Sequence, residues 1–321
     1  MSPGLPRRTL GRTGLEVSVI SFGAAPLGGV YESTTEEQCT EAVREAFRLG
    51  INFFDTSPYY GNLRSETVLG RALKGLPRDQ IYVATKVGRY GLEEKDFDFS
   101  AERVTASVHE SLARLGLEYL DVVQAHDVEF ASLDQVVNET LPALHKLKEQ
   151  GLVRFIGFTG LPLKVYRYIL DRVPERLVDV VLSYCHHTLF DRTLEGLLPY
   201  LQGKGVGVIN ASVLSMGLLT PQGPPAWHPG PEELKALCRK AAAHAAQRGV
   251  DLPAMAIKAA VQEPHIATSL VGFCRPKEVR ASVASAVAPL TEQEEEVLAE
   301  VREMLAPARD ITWPSGRPDN N

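Results

Sequence analysis

Short apolar runs alternate with longer amphipathic stretches along the whole chain. Eight of the runs are rich in Val, Ile, Leu and Phe and are apolar at most positions, which is typical of parallel strands covered on both faces. These predicted strands are 17–22, 51–55, 81–86, 120–125, 153–158, 178–184, 206–211 and 267–271. Eight strands that alternate with helices indicate a parallel α/β sheet, and its most economical closure is a (β/α)₈ TIM barrel.

The stretches between the strands carry helix signals at their ends. Thr35 followed by acidic residues marks a helix start, Gly50 marks the end of that helix, and Ser100 starts another. The predicted helices are 34–50, 63–74, 100–116, 134–150, 163–172, 191–202, 231–248, 253–262, 276–287 and 291–305. The last of these falls outside the strand–helix alternation, so we expect extra C-terminal helices beside the barrel.

Ahead of the first barrel strand, the chain carries a hairpin signal. Residues 8–10 and 17–19 flank the turn sequence GRTG at 11–14, which predicts a β-hairpin across the barrel bottom. A stretch rich in proline and glycine at 220–231 predicts a long surface loop. No break in composition divides the sequence, so a single barrel domain over 1–321 is expected.

Composition and charge narrow the class of protein. A hydrophobic fraction of 44% and a charged fraction of 23% over 321 residues are ordinary for a globular protein and exclude a disordered or fibrous chain. The net charge of −6, without a block of like charge, disfavours binding to nucleic acid or anionic lipid. The sequence contains neither an apolar run of membrane-span length nor a signal-peptide core.

No metal site is expected. The four cysteines lie far apart and form no C-x-x-C pair, which argues against a zinc knuckle or a disulfide framework and indicates a reducing compartment. His186 and His187 are adjacent but lack a nearby third ligand, so we predict that they line the barrel mouth and that His187 contacts substrate. The expectation is a cytoplasmic monomer or homodimer that binds a small molecule and neither nucleic acid nor membrane.

Polar residues with reactive side chains stand at the ends of three predicted strands. In a (β/α)₈ barrel, catalytic groups belong at the carboxyl ends of the strands and in the loops that follow them. Asp55 ends one strand and is followed by Tyr59 and Tyr60, Lys86 ends the next, and His126 follows the third. We therefore expect an acid, a tyrosine, a lysine and a histidine to converge on one mouth.

This combination of groups suits proton transfer. A phenol titrates near pH 10, so a base active near neutral pH needs its pKa lowered by about two pH units, which is ~3 kcal/mol. An ammonium about 4 Å away contributes roughly 4 kcal/mol at an effective dielectric constant near 20. We expect Lys86 to lower the pKa of Tyr60. Asp55 would keep Lys86 charged, and His126 would hydrogen-bond the reacting oxygen.

Each of these residues, taken alone, could have an ordinary structural role. Asp55 could belong to a simple turn after its strand, Tyr59 could be pocket wall, and Lys86 could be one of many surface lysines. The coincidence of four such residues at successive strand ends argues against these alternatives. No G-x-G-x-x-G motif follows the first strand, which disfavours a Rossmann-type dinucleotide site.

The runs NFFDTSPYYG, VATKVG and LDVVQAHD resemble the catalytic motifs of the aldo-keto reductase superfamily. The resemblance covers essentially the whole chain, and FIGFTGLPL, LSYCHHTLFD, MGLLTPQGPPAWHP and DITWPSG are similar to the branch that dehydrogenates L-galactose, L-fucose and D-arabinose. It implies that Asp55, Tyr60, Lys86 and His126 form a catalytic tetrad in which Tyr60 transfers the proton. It also implies a nicotinamide cofactor across the barrel mouth and oxidation of a free aldose at its anomeric C1 hydroxyl to a lactone.

The same resemblance implies a set of cofactor contacts. They are Gly23, Asp55, Thr159, Ser183, Ser212, Leu214, Met216, Gly217, Leu218, Gly272, Phe273, Arg275, Glu278 and Ser282. Thr159 and Ser183 would hold the carboxamide, the loop after residue 211 would cover the pyrophosphate, and the run from Gly272 would meet the adenosine half. Glu278 stands where NADP-using relatives carry an arginine, and a carboxylate repels a 2′-phosphate, which favours NAD. Nearby basic residues, Arg275 among them, leave NADP possible.

Two other functions are compatible with the same residues. The first is NADPH-dependent reduction of small aldehydes or ketones, which uses the four residues in reverse. The second is a non-catalytic dinucleotide-binding regulatory subunit, against which the intact tetrad argues. The predicted substrate contacts are Tyr59, His126, His187 and Trp227. Trp227 would either cap a sugar face or pack its loop against the barrel.

Overall fold

The computed structural model describes residues 4–31 and 33–321. Arg7–Thr9 (β1) and Glu16–Ser18 (β2) form an antiparallel hairpin. The parallel strands are Ile20–Gly23 (β3), Phe53–Asp55 (β4), Tyr82–Val87 (β5), Leu120–Ala125 (β6), Val153–Gly160 (β7), Val180–Tyr184 (β8), Gly207–Ala211 (β9) and Thr268–Gly272 (β10). They close a barrel in the order β10-β3-β4-β5-β6-β7-β8-β9, which confirms the predicted (β/α)₈ barrel with an N-terminal hairpin.

Helices cover the outside of the barrel. They are Glu36–Arg48 (α1), Arg64–Leu73 (α2), Ala101–Leu115 (α3), Leu133–Gln135 (α4), Leu141–Glu149 (α5), Lys164–Leu170 (α6), Leu198–Gly203 (α7), Glu232–Gln247 (α8), Leu252–Ala260 (α9), Pro276–Val287 (α10) and Glu292–Met304 (α11). The expected helix 134–150 contains a wider π turn over Val136–Thr140, and Pro142, which follows in the first turn of α5, cannot donate a backbone hydrogen bond. Within residues 4–31 and 33–321, no helix has both the length and the apolar character needed to cross a membrane.

Alternation along the strands supplies two apolar cores. Successive strand residues point to opposite faces of a sheet. Phe53 and Val122 therefore fill the barrel interior, which Leu10 of the hairpin region closes from below. Phe54 and Val123, one residue further on, pack outward against the helices. The barrel is thus a packed core, and open space is left at its carboxyl end.

The predicted strand 17–22 is two strands in the structure. Val17 belongs to β2 of the hairpin, whereas Ile20 begins β3 of the barrel. Between them, the backbone N–H of Ser18 donates to Oδ1 of Asn52 at 2.9 Å, and Oγ of Ser18 donates to the carbonyl of Ile20 at 2.7 Å. Polar side chains therefore satisfy the backbone where the chain changes sheets.

The hairpin turn contains two glycines with different surroundings. Gly11 has a φ of +53°, and a Cβ at this position would lie 2.3 Å from the backbone nitrogen of Gly207 in β9. Gly14 has a φ of +73°, and no described atom lies within 4 Å of its Cβ position. Gly11 is therefore the point at which the hairpin touches the barrel bottom.

Alanine at these two positions separates backbone strain from packing. We expect Gly14→Ala to lower the free energy of unfolding by about 1–2 kcal/mol, the cost of a left-handed backbone with a Cβ. Gly11→Ala should cost about 1–3 kcal/mol more, because its methyl group overlaps the backbone of β9. Urea denaturation followed by circular dichroism measures both values. Equal losses in the two variants would contradict close packing between the turn and the barrel.

Candidate active site

A cavity of about 1440 Å³ opens at the carboxyl ends of the barrel strands. Its wall includes Asp55, Tyr60, Lys86 and His126, which come from three successive strands and the loops that follow them. Parallel strands bring such residues to one edge because every carboxyl end points the same way. The structure therefore brings together all four residues predicted to form the tetrad.

Asp55 and Lys86 form an ion pair at the base of the cavity. In the paired strands Asp55 lies opposite Ala84, so Lys86, two residues beyond Ala84, faces the same interior. Nζ of Lys86 contacts Oδ1 of Asp55 and donates to the carbonyl of Thr56 at 2.8 Å, while Nε2 of Gln124 donates to Oδ2 of Asp55 at 3.1 Å. Lys86 is only 1% exposed. An ammonium this deeply buried requires the facing carboxylate to compensate its lost hydration.

Tyr60 lies beside this ion pair in the loop after β4. Nζ of Lys86 is 4.9 Å from the centroid of the phenol ring, and the ring of His126 meets it edge-on with a centroid separation of 5.7 Å. The backbone that follows is fixed by Gly61, which has a φ of +62° and whose Cβ would lie 2.1 Å from the carbonyl oxygen of Gly28. Only glycine fits at that position, so the tight turn holds Tyr60 against the cavity.

The pKa of Tyr60 differs from the sequence-based expectation. Burial raises the pKa of Tyr60 well above its ordinary value, and the charges of Asp55 and Asp127 raise it further, while Arg89 lowers it. The expected net lowering of the pKa of Tyr60 is therefore wrong for the protein alone. Burial is the larger cause, and Asp55, which lies against the ammonium of Lys86, adds to it. The phenol therefore keeps its proton at neutral pH.

His126 is held in a neutral form. Its Nδ1 lies 3.1 Å from Oγ of Ser57, and its Nε2 lies 3.6 Å from Oδ2 of Asp127. Burial lowers the pKa of His126 to about 3; Asp127 opposes the shift, and the charges of Lys86 and Arg89 add to it. A neutral imidazole donates from one ring nitrogen and accepts at the other, so it can hydrogen-bond an alcohol or a carbonyl oxygen.

A second ion pair, which we did not predict from the sequence, lies next to His126. Arg89 follows β5, Asp127 follows β6, and the two side chains form an ion pair in the cavity wall. The guanidinium carbon of Arg89 is 4.0 Å from the centroid of the Tyr59 ring. Oγ1 of Thr159 donates to Oδ1 of Asp127 at 3.0 Å. The position of both charges just beyond strand ends is the signal that could have found them.

Glu129 is another buried acid that the sequence reasoning missed. Its Oε1 accepts hydrogen bonds from the backbone N–H of Leu161 at 3.2 Å, from the hydroxyl of Tyr184 at 3.3 Å and from Oγ of Ser315 at 2.8 Å. Its Oε2 has no hydrogen-bond partner among the described residues. Burial raises the pKa of Glu129 to about 8, and the charge of Asp127 acts in the same direction. Glu129 therefore joins the C-terminal segment to the cavity wall as a largely protonated acid.

The residues expected to contact a cofactor divide into two groups. Those that line the cavity are Gly23, Asp55, Thr159, Ser212, Leu214, Met216, Gly217, Gly272 and Glu278. Those that do not line it are Ser183, Leu218, Phe273, Arg275 and Ser282. Ser183 lies beside Tyr166 of α6, because residues alternate along β8 and its neighbours Leu182 and Tyr184 face the cavity. The expectation that Ser183 points into the mouth is therefore not met.

The residues expected to contact substrate are also divided. Tyr59 and Trp227 line the cavity with His126, and Trp227 is 52% exposed at the rim, with its ring centroid 5.8 Å from that of Tyr31. His187 lies elsewhere, in the wall of a separate cavity of about 150 Å³ that Glu263 also lines. The prediction that His187 lines the barrel mouth is wrong, because the loop after β8 places this residue in the wall of the smaller cavity.

The loop after β9 has features suited to a phosphate-bearing ligand. Ser212, Ser215 and Met216 have φ values of 59°, 47° and 52°, which is strained backbone for residues with a Cβ. The backbone N–H groups of Val213 and Leu214 donate to no carbonyl among the described residues, and both residues line the cavity. Unpaired amides in such a turn can bind the oxygens of a pyrophosphate.

A carboxylate occupies the helix end on the other side of β10. Oε2 of Glu278 accepts from the backbone N–H groups of Cys274 at 3.0 Å and Arg275 at 3.1 Å. Nη1 of Arg275 donates to Oε1 of Glu278 at 3.1 Å. The N-terminus of α10, which favours negative charge, is thus filled by a group of the chain itself.

The family model described as the aldo/keto reductase family matches residues 19–303. The chain belongs to this family. An L-galactose dehydrogenase from Arabidopsis thaliana is 53% identical over 313 residues, covering 96% of this chain and 97% of that protein. A D-arabinose 1-dehydrogenase from Saccharomyces cerevisiae is 37% identical over 259 residues, covering 77% of this chain and 76% of that protein.

A solved aldo-keto reductase from Bacillus halodurans, in its holo form, has a similar structure. Its TM-score is 0.74 at 28% identity, covering 92% of this chain and 96% of that one. The aldo-keto reductases use nicotinamide dinucleotides, so this chain is an oxidoreductase of that type. The available amides after β9 and the glycines at the strand ends, Gly23 and Gly272, fit such a ligand.

Glu129 makes stability depend on pH in a defined direction. In the unfolded chain a glutamate loses its proton near pH 4.3, whereas the folded protein keeps the proton until about pH 8. Between these values the folded state binds more protons, so stability decreases as pH rises, by up to about 1.4 kcal/mol for each pH unit. We expect Glu129→Gln, which cannot ionise, to gain stability relative to the wild type between pH 5 and pH 8.

Urea denaturation at several pH values measures this difference. Glu93→Gln is the matched control, because Glu93 is an exposed carboxylate on the rim of the same cavity. The control should keep a constant difference from the wild type. If Glu129→Gln also kept one, Glu129 would be ionised in the folded protein and the predicted protonation would be wrong.

Proposed function

We propose that this aldo-keto reductase oxidises the anomeric C1 hydroxyl of a free aldose to the lactone, with NAD as the preferred cofactor. The observation that carries the chemistry is the juxtaposition of Tyr60 and His126 beside the buried pair of Lys86 and Asp55. Similarity to an L-galactose dehydrogenase and a D-arabinose 1-dehydrogenase supports the substrate class. These two sugars share their configuration at C2, C3 and C4, so we expect a substrate with that pattern.

Each residue has a distinct proposed role. The C1 oxygen forms a hydrogen bond with Nε2 of His126. A neutral imidazole can accept from the hydroxyl of the substrate or donate to the carbonyl oxygen of the product. For oxidation, Tyr60 would first lose its own proton to solvent, and its phenolate would then accept the hydroxyl proton as the C1–H bond is lost as hydride and the C1=O bond forms. When bound, the oxidised dinucleotide supplies the hydride acceptor and a positive charge that lowers the pKa of Tyr60. Lys86 lies beside the phenol and stabilises its anion, and Asp55 keeps Lys86 charged and in place.

The raised pKa of Tyr60 favours a second candidate function. A phenol that keeps its proton at neutral pH is a proton donor to a carbonyl oxygen, which is the role needed for reduction of small aldehydes or ketones. The same residues serve both directions by microscopic reversibility. A comparison of NADPH with small aldehydes against NAD with aldoses separates the two functions.

A cofactor and sugar panel tests the main proposal. We expect the protein to reduce NAD in the presence of L-galactose, L-fucose or D-arabinose, with the corresponding lactone as product. Tyr60→Phe should lower kcat by more than about a hundredfold, because it removes the proton acceptor. The variant should still bind the dinucleotide, as measured by quenching of protein fluorescence. Turnover at the wild-type rate by Tyr60→Phe would exclude the mechanism, and no turnover of any aldose would exclude the substrate class.

The preference for NAD is proposed to come from Glu278. Its carboxylate lines the cavity at the N-terminus of α10, where it can accept from ribose hydroxyls and repels a 2′-phosphate. We expect Glu278→Gln to lower the ratio of kcat/KM for NAD over NADP by about tenfold or more.

The substitution Glu278→Gln also weakens the cap of α10, so the experiment needs a control for the loss of a helix cap. Glu294→Gln removes a capping carboxylate of the same kind, because Glu294 accepts from the backbone N–H of Thr291 at 2.7 Å at the start of α11. Glu294 does not line the cavity. The cofactor ratio of Glu294→Gln should equal that of the wild type. An unchanged ratio in Glu278→Gln would assign the preference to other groups.

A further inference from the structure

Arg89 and Asp127 form an ion pair that lines the cavity, and the proposed reaction gives it no role. We propose that it recognises the sugar, with Asp127 accepting a hydrogen bond from the C2 hydroxyl of the aldose and Arg89 holding that carboxylate in position. The inference rests on the proposed function and adds to it the residue that recognises the C2 hydroxyl, which is carried by the carbon next to the reacting one.

The position of Asp127 relative to His126 supports this assignment. Oδ2 of Asp127 lies 3.6 Å from Nε2 of His126, which is too long for a direct hydrogen bond. Both side chains line the cavity, so both can be reached from it. A C1 hydroxyl bonded to His126 places the C2 hydroxyl, carried on the adjacent ring carbon, beside this carboxylate.

Asp127 retains capacity to accept a ligand hydroxyl. A carboxylate offers about four lone-pair sites on its two oxygens. Among the described residues, Oδ1 accepts from Oγ1 of Thr159 at 3.0 Å, and Oδ2 is paired with Arg89. Nη2 of Arg89 also donates to no acceptor in the described chain, so it is available to a neighbouring hydroxyl. A sugar with vicinal hydroxyls matches this arrangement of one acceptor and one donor.

Several contacts hold the pair in position before any sugar binds. Asp127 has a φ of 47°, and its backbone N–H donates to Oγ1 of Thr159 at 2.8 Å. The guanidinium of Arg89 stacks on Tyr59 and lies 5.2 Å from the ring centroids of both Phe97 and Phe130. Groups ordered in this way lose little entropy on binding. Because they are also largely buried, a sugar without the matching hydroxyl leaves one accepting position of the Asp127 carboxylate unused and is bound less tightly.

A pair of sugars isolates the C2 hydroxyl. 2-Deoxy-D-ribose is D-arabinose without its C2 hydroxyl, and it keeps the configuration at C3 and C4. We expect the wild type to have the higher kcat/KM for D-arabinose. In Asp127→Asn the ratio of the two kcat/KM values should fall by about tenfold or more, since a hydrogen bond to a charged group is lost. Comparison between variants cancels the intrinsic difference in reactivity of the two sugars.

Controls separate recognition from a general structural effect. Asparagine is one of the few residues that tolerates a left-handed backbone, so Asp127→Asn should fold, which thermal unfolding checks. Asp171→Asn makes the same substitution away from the cavity, where Asp171 pairs with Lys204 at 3.1 Å, and should keep the wild-type ratio. If Asp127→Asn fails to fold, Arg89→Gln is expected to lower the same ratio, because the carboxylate is then no longer held in place.

Binding gives a readout that does not depend on turnover. Calorimetric titration of each sugar into the protein saturated with reduced cofactor should show a Kd for D-arabinose that rises in Asp127→Asn, with little change for 2-deoxy-D-ribose. Equal losses for both sugars, or a wild type that does not distinguish them, would overturn the inference while leaving the proposed function intact. A wild type that oxidises no aldose at all would instead remove the proposed function.

Discussion

The arrangement of residues at the mouth of this barrel depends on a buried ammonium that requires a carboxylate beside it. Lys86 and Asp55 come from neighbouring strands, and their contact exists only when β4 and β5 are paired in the observed register. Removing one partner of such a pair costs about 3–5 kcal/mol, because the other charge is left uncompensated. Gln124 and the carbonyl of Thr56 complete the set of partners. The register that pairs β4 with β5 therefore also fixes the geometry of the candidate site.

Burial and the charges of the ion pairs together set the protonation states at this mouth. Burial is the largest cause of the raised pKa of Tyr60; Asp55 and Asp127 raise it further, and Arg89 opposes them. The result is a cavity with a neutral phenol and a neutral imidazole between two ion pairs, those of Lys86 and Arg89.

Much of the fold and the four central site residues could be predicted from the sequence. Apolar runs report burial on both faces of a strand, and strand ends in a parallel barrel must meet at one rim, so Asp55, Lys86 and His126 could be placed together without coordinates. Ser183 could not be placed in this way. A difference of one residue reverses the face to which a strand side chain points, and local composition does not report that difference in β8.

The sequence alone determined which elements form and which reactive residues stand at their ends, because these depend on local periodicity and on the common direction of parallel strands. Only the tertiary structure decided that Arg89 pairs with Asp127, that Glu129 is buried behind the wall, and that the phenol of Tyr60 keeps its proton. These properties depend on distances between loops and on exclusion of water. Both arise from the packing of segments far apart in the chain, and no local pattern carries that information.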